Sequence, residues 1–288
     1  MKKVGKTIFY LIMVAISLMY ILPLVMMISI SISSDAAITN YGYTLFPKEV
    51  SFEAYRLASQ NPGQIIQSYK VTAAFSVLST ILSTLVTVMA AYPLARQNFK
   101  LKKPFTFFLF ITTLFSGGMV PLYILCTRYL HLGDTFWIYV LPGLVTAFNV
   151  FLYRTSIKEL PPEMIEAARI DGAGEIKIFA KIVLPLCVPL MATLGFMHLM
   201  GKWNDWNICL LYIRNPKLYS LQYLLQRIIN EADYVKSLSV NGQFSANDLP
   251  SESLKYATAI IASGPMMVIF PFFQRYLSKG ITMGSVKG

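Results

Sequence analysis

The stretch EAARIDGAGEIKIFAKIVLP, residues 166–185, decides how this chain is read. Its charged side chains, Glu166, Arg169, Asp171, Glu175, Lys177 and Lys181, lie between two long apolar runs, and Gly172 and Gly174 interrupt it. Just upstream, Pro161 and Pro162 suit the first turn of a helix, where a missing N–H leaves no bond unmade. At 100° per residue, Met164, Ile165, Ala167 and Ala168 share one arc, with Glu163, Glu166 and Arg169 on the other side. Gly172 then allows the chain to turn. After Gly174 the spacing predicts a second amphipathic helix, with Ile176, Ile178, Phe179, Ile182 and Val183 on one side and Lys177 and Lys181 on the other. Pro185 marks its passage into the next apolar run. Two short helices at a bend can rest on lipid headgroups. The Ala-Ala face is too small to anchor well in lipid, however, and suits a close fit to protein.

The surroundings of this segment are built for lipid. Of 288 residues, 55% are hydrophobic and 14% charged, with a mean hydropathy of +0.55; soluble domains are about a quarter charged. Six stretches without Asp, Glu, Lys or Arg are roughly long enough to cross hydrocarbon, at 7–34, 71–95, 104–127, 135–153, 182–201 and 256–274. The expectation is an all-α integral membrane protein of six transmembrane helices forming one domain over 1–288. The first run follows Lys2, Lys3 and Lys6 but is far longer than a signal h-region, so it reads as a retained span.

The net charge of +11 would suggest nucleic acid in a soluble protein, so its distribution matters. With a cytoplasmic N-terminus, residues 1–6, 96–103, 154–181 and 275–288 face inside and hold 15 Lys/Arg against 5 acids. The outer segments hold 10 against 9. This positive-inside asymmetry predicts a multi-pass protein with both termini in the cytoplasm. Loops 35–70, 128–134 and 202–255 then lie outside. Within the last, Leu221, Leu224, Leu225, Ile228 and Ile229 follow one helical face, and 242–253 reads as a loop.

Several features admit two readings. Thr72, Ser76, Thr80, Ser83 and Thr87 form a narrow hydroxyl stripe on the second span, which serves either close helix packing or a polar solute path. SGGMVP, residues 116–121, is either a packed kink or a hinge in the third span. Asn149 in the fourth span is a helix-helix hydrogen-bonding group or a path residue. In WNDWN, residues 203–207, Trp203 and Trp206 form an interfacial belt, or with Asp205 and Tyr212 they stack on sugar at an outer gate. Cys126, Cys187 and Cys209 have no disulfide or metal spacing, and His131 and His198 are isolated, so no metal site is expected.

The order Glu166-Ala167-Ala168, three residues, Gly172, nine residues, Ile182, one residue, Leu184-Pro185 resembles the EAA signature of permease subunits in bacterial ATP-binding-cassette importers. EAARIDGAG with IVLP, six spans and the closing GITMGSVKG resemble the MalG-like sugar-importer branch, and FSGGMVPLYI resembles its LplC/YtcP-like oligosaccharide subgroup. The resemblance covers nearly the whole chain. It implies a coupling helix in loop 154–181 that docks on a separate ATPase. It further implies a second, non-identical permease, an extracytoplasmic solute-binding protein, and residence in the bacterial cytoplasmic (inner) membrane. The chain itself would be non-catalytic, with ATP and Mg bound by the ATPase. Gly5-Lys6-Thr7 lacks the upstream glycine of a phosphate-binding loop. A permease for a non-sugar solute is the alternative. An ion-coupled carrier is disfavoured because no span carries an acid, Lys or Arg.

Overall fold

The computed structural model describes residues 2–60, 62–240 and 252–283. Among these the regular structure is helical: α1 (Lys2–Ser31), α2 (Asp35–Tyr41), α3 (Glu53–Ala58), α4 (Pro62–Ala95), α5 (Lys102–Leu114), α6 (Met119–Ile124), α7 (Trp137–Val140), α8 (Ala147–Lys158), α9 (Pro162–Ile170), α10 (Glu175–Ile178), α11 (Leu184–Trp203), α12 (Asn207–Tyr212), α13 (Leu221–Val240) and α14 (Glu252–Met283). One isolated antiparallel bridge joins Ser33 and Val50. The chain divides into two units, 1–66 with 221–265 and 67–220 with 266–288.

In the first unit, α1 is apolar all round and exposed from Ile8 to Val25, as suits a helix meant for lipid or for a partner. Ser34 starts α2: its Oγ accepts the Ala37 N–H at 3.1 Å and donates to Glu49 at 2.8 Å. Gly42, at φ +71°, ends it. The Asp35 carboxylate accepts the Ser253 N–H at the start of α14 at 3.0 Å. The expected outer amphipathic helix is α13, and it buries Leu221, Leu224 and Leu225. Most of the expected loop 242–253 lies outside the described residues; Glu252 and Ser253 open α14.

The second unit packs α4, α8, α9, α10 and α11 around Val88, Ala91, Val150, Tyr153, Ile178, Val183 and Cys187. Gly195 brings α11 close to α4: a Cβ there would stand 3.3 Å from Thr84 Oγ1 and 3.6 Å from Thr80 Cγ2. Close approach through small residues is how helices associate where lipid removes the hydrophobic drive.

The expected spans differ in continuity. Among the described residues four helical stretches are long and apolar enough to cross a membrane, Gly5–Ser31, Pro62–Ala95, Glu175–Trp203 and Glu252–Gln274, or five with the bent pair Lys102–Leu114 and Met119–Tyr129 taken as one, and the second, third and fourth start before the expected 71, 182 and 256. The expected third span, 104–127, is broken: α5 and the α6 stretch meet at 114°. Gly118 at φ +87° makes the corner, and Pro121 falls in the first turn of α6, where its missing N–H costs nothing. Residues 115–120 are exposed, so among the described residues nothing packs on this corner.

The expected fourth span, 135–153, is also discontinuous. Helix α7 stops at Val140, and α8 starts only at Ala147. Between them stand Pro142, which lacks an N–H, and Gly143 at φ +77°. Broken helices survive at membrane depth only if the freed carbonyls find donors. Here Lys202 Nζ donates to Tyr139 O at 2.7 Å and Pro142 O at 3.4 Å. Leu144 O accepts from Ser83 Oγ at 2.6 Å and Thr87 Oγ1 at 3.4 Å.

Candidate functional site

The opening segment folds as a helix, a bend and a second helix, for local reasons. In α9, Pro162 occupies the first turn with Glu163 beside the positive helix end. The helix closes with the Gly172 N–H on Arg169 O at 3.0 Å and the Ala173 N–H on Ala168 O at 2.9 Å. That pair of bonds is the Schellman closure, and it requires the left-handed φ of +77° that Gly172 adopts. Ala168 and Ala173, the two residues such a closure brings together, are both partly buried against the core.

Glu175 holds the bend at a fixed angle. Its Oε1 accepts Arg169 Nη2 at 2.6 Å and Arg96 Nη2 at 3.3 Å, and its Oε2 accepts the Tyr92 hydroxyl at 2.6 Å. Tyr92 in turn lies 5.2 Å from the Phe179 ring, with the Arg96 guanidinium 5.6 Å over its own ring. The carboxylate also raises the Arg169 pKa through its hydrogen bond and charge. One acid thus joins α9, the bend and the end of α4. In the amino-acid order Glu175 reads only as a charge, because its partners Tyr92 and Arg96 lie about eighty residues away.

The face that buries differs in part from the expected one. Ile165 is buried and Ala168 half-buried, while Met164, Ala167 and Glu166 are exposed. Ile178 and Val183 are buried and Phe179 and Ile182 half-buried, but Ile176 is 86% exposed. Ile170 is 87% exposed. The second helix is no separate element. Its residues run through a wide π turn, Phe179–Val183, directly into α11, giving one continuous stretch Glu175–Trp203. The wide turn precedes Pro185, whose ring excludes the carbonyl of Lys181 from α-helical register. Leu184 is half-buried and Pro185 exposed in the first turn of α11.

The residues proposed for a solute path do not come together as an open surface. Thr72, Ser76, Ser83 and Thr87 are buried in helix packing. Thr80 is half-buried, donates to Ser76 O at 2.7 Å, and lines a groove of about 260 Å³ with Thr84, Met191, Gly195 and Phe273. Asn149 is half-buried in the first turn of α8. Trp203 is buried with its ring 6.3 Å from that of Tyr69, so it forms no part of a lipid-facing belt. Asp205 Oδ1 accepts the Ile208 N–H in the first turn of α12 at 3.1 Å. Tyr212 is buried, 5.3 Å from the Tyr123 ring, and only Trp206 of this group is exposed, at 39%. Lys202 was missed because it lies one residue past the apolar run, and its role as a donor to a broken helix needs the third dimension.

Over residues 2–283 the chain matches the family described as binding-protein-dependent transport system inner membrane component. Protein LplC of Bacillus subtilis (strain 168) is 34% identical over 269 residues, covering 93% of this chain and 90% of LplC. The polygalacturonan/rhamnogalacturonan transport system permease protein YtcP of the same organism is 30% identical over 272 residues, covering 94% of each chain. The fold matches, with a TM-score of 0.79 and 25% identity over 95% of this chain and 96% of the other, a chain in the crystal structure of a bacterial ABC transporter involved in the import of the acidic polysaccharide alginate. A match that runs nearly end to end, and that takes in the bent segment and the broken helices alike, places this chain in the family of inner-membrane components of binding-protein-dependent transport systems.

Proposed function

We propose that this chain is a non-catalytic permease subunit forming half of the translocation pore of an ATP-driven importer of a sugar or oligosaccharide. In this reading residues 162–185 are the handle by which a separate ATPase drives it. The observation that carries the coupling role is the pair Ile170 and Ile176. Both are more than four-fifths exposed, one on each side of a bend locked by Gly172 and Glu175. Burying an isoleucine contributes about 1.5–3 kcal/mol. Two bare isoleucines on a rigid tip, with Glu166 and Ala167 exposed beside them, therefore suit a protein cleft better than water.

The family name supplies dependence on a binding protein, and the relatives' names supply the solute class: YtcP, and MelC, a melibiose/raffinose/stachyose import permease at 31% identity over 249 residues. A single handle per chain calls for a second permease to serve a pair of ATPase subunits, which hold the ATP and Mg. Loops 35–70 and 202–255 would meet the solute-binding protein outside, with both termini in the cytoplasm. Ile170→Asp with Ile176→Asp tests the handle: membrane insertion should persist while the ATPase no longer copurifies and solute uptake falls. Full uptake with the ATPase still bound would remove these residues from the interface. Native mass spectrometry of the active transporter should count one copy of this chain beside a different permease; two copies and no other permease would refute the pairing.

A further inference from the structure

Beside the bent segment lies a groove of about 450 Å³ lined by the end of α4, the start of α5, the end of α8 and α9. Four of its lining side chains are cations, Arg96, Lys102, Lys158 and Arg169, against one carboxylate, Glu166. Arg96 and Arg169 are already engaged by Glu175. The side-chain ammonium groups of Lys102 and Lys158 form no ion pair or hydrogen bond among the described residues. Arg154, one turn before Lys158 on α8, donates Nη1 to Thr106 on α5 at 3.3 Å, while its buried Nε has no partner. The crowding is electrostatic as well as geometric: Arg154 first, then burial and Lys102, pull the Lys158 ammonium below its ordinary value. Cations crowded with no carboxylate paired to Lys102 or Lys158 are a cost that an anionic ligand would offset.

Position in the fold indicates which anion. The groove sits where apolar stretches end: α4 closes at Ala95, and Lys102 opens α5, which buries none of its residues. Phe105 follows Lys102 by one turn on α5 and is half exposed, and Phe108, one turn further along the same side as Phe105, is exposed. A polar, cationic mouth that opens onto an exposed aromatic helix is matched by a molecule with an anionic head and an apolar tail. Basic pockets between membrane helices take such headgroups. We infer that this groove binds the phosphate of an anionic glycerophospholipid, with Lys102 and Lys158 as its cationic ligands and an acyl chain along Phe105 and Phe108 of α5. The inference rests on the membrane placement of the family, not on the coupling role of the bend.

The test uses the full chain with its copurifying transporter subunits, in nanodiscs of phosphatidylcholine containing phosphatidylglycerol. Retained lipid is counted by native mass spectrometry after transfer to detergent. Lys102→Gln with Lys158→Gln should lower retained phosphatidylglycerol about thirtyfold, at about fivefold per cation. Phosphatidylcholine retention should not change, and Lys100→Gln, an exposed cation outside the groove, should behave as the parent. Excess inorganic phosphate should not displace the lipid. Undiminished phosphatidylglycerol in the double variant would overturn the inference. So would displacement by phosphate, which would make this a free-anion site. So would loss of the copurifying subunits to the same extent in pure phosphatidylcholine, because an acidic protein segment would then be the occupant. Lipid retention is read without ATP hydrolysis, so a failed handle and a failed lipid site give different results.

Discussion

Gly172 gives the cleanest perturbation of the bend, because its environment separates backbone conformation from steric contact. A Cβ at this position would meet nothing within 4 Å, yet φ is +77°. A substitution therefore carries the left-handed backbone penalty alone, roughly 1–2 kcal/mol for an ordinary L-residue. Asn tolerates this region better than Ala, and a β-branched residue tolerates it least. That penalty is about a fivefold to thirtyfold shift in the population of the bent conformer. Uptake and binding-protein-stimulated ATP hydrolysis, measured in proteoliposomes, should fall in the order Gly172, Gly172→Asn, Gly172→Ala, Gly172→Val, with equal amounts inserted. Parental activity in Gly172→Val would refute the claim that the closure matters. Equal damage from Asn and Val would refute the backbone explanation and point instead to a surface where any side chain collides with a partner.

Glu175→Gln should weaken the links to Arg169, Arg96 and Tyr92; with the carboxylate half exposed the loss is about 1 kcal/mol. Coupling of hydrolysis to uptake should then drop, with partial recovery in the exchange of Arg169→Glu with Glu175→Arg, and no change in coupling would count against the lock. Lys202→Met removes the donor to Tyr139 O and Pro142 O, and orphaned buried carbonyls should lower stability by about 1–3 kcal/mol. The check is the thermal unfolding midpoint in detergent, and an unchanged midpoint would show that water or lipid replaces the lysine. For topology, the three cysteines are buried and make a quiet background. Cysteines introduced at the exposed Ser59 and Gln97 should react with an impermeant thiol reagent from opposite sides of intact cells, and labelling of both from outside would overturn the orientation.

What could be read from the amino-acid order was whatever depended on neighbours. The turn at Gly172 and the buried stripe of α13 follow from local spacing, and so does the placing of Thr72, Ser76, Ser83 and Thr87 on one face of α4, though not whether that face meets helices or solute. The breaks in the third and fourth spans were not read, because a hydropathy window registers composition and not continuity. Pro142 and Gly143 are visible in the order, but proline is tolerated inside helices in lipid, and α1 and α4 contain Pro23 and Pro93 without a break. What decides the matter at 141–146 is whether donors reach the freed carbonyls, and those donors, Ser83, Thr87 and Lys202, are about sixty residues away in either direction. The exposure of Ile176 was misjudged for a related reason. A wheel at 100° per residue assumes uniform winding, whereas the π turn at Phe179–Val183 shifts the register between Ile176 and the residues after it.

These contacts bear on how motion at the handle could reach the middle of the second unit. The stretch Glu175–Trp203 is continuous helix, and it is fixed to α4 at three levels: by Glu175 to Tyr92 and Arg96, by the close approach of Gly195 to Thr84, and by Ser79 hydrogen-bonded to His198 Nε2 at 2.9 Å. Helices joined at three levels resist sliding and bending separately, so a displacement of residues 170–176 is carried along both together. Both also grip the same discontinuity, α4 through Ser83 and Thr87 and the long helix through Lys202. Within 141–146 the backbone bonds are few: Leu141 N–H reaches back to Trp137 O at 2.9 Å, Leu144 N–H to Leu141 O at 3.4 Å, and Thr146 O accepts the Val150 N–H at 3.1 Å. Two of its carbonyls, Pro142 O and Leu144 O, are held by side chains from α4 and the long helix, so if the proposed handle moves those two elements, the broken fourth span, rather than the hydroxyl stripe itself, is the place in this unit where a push on the bend would be converted into a change of backbone shape.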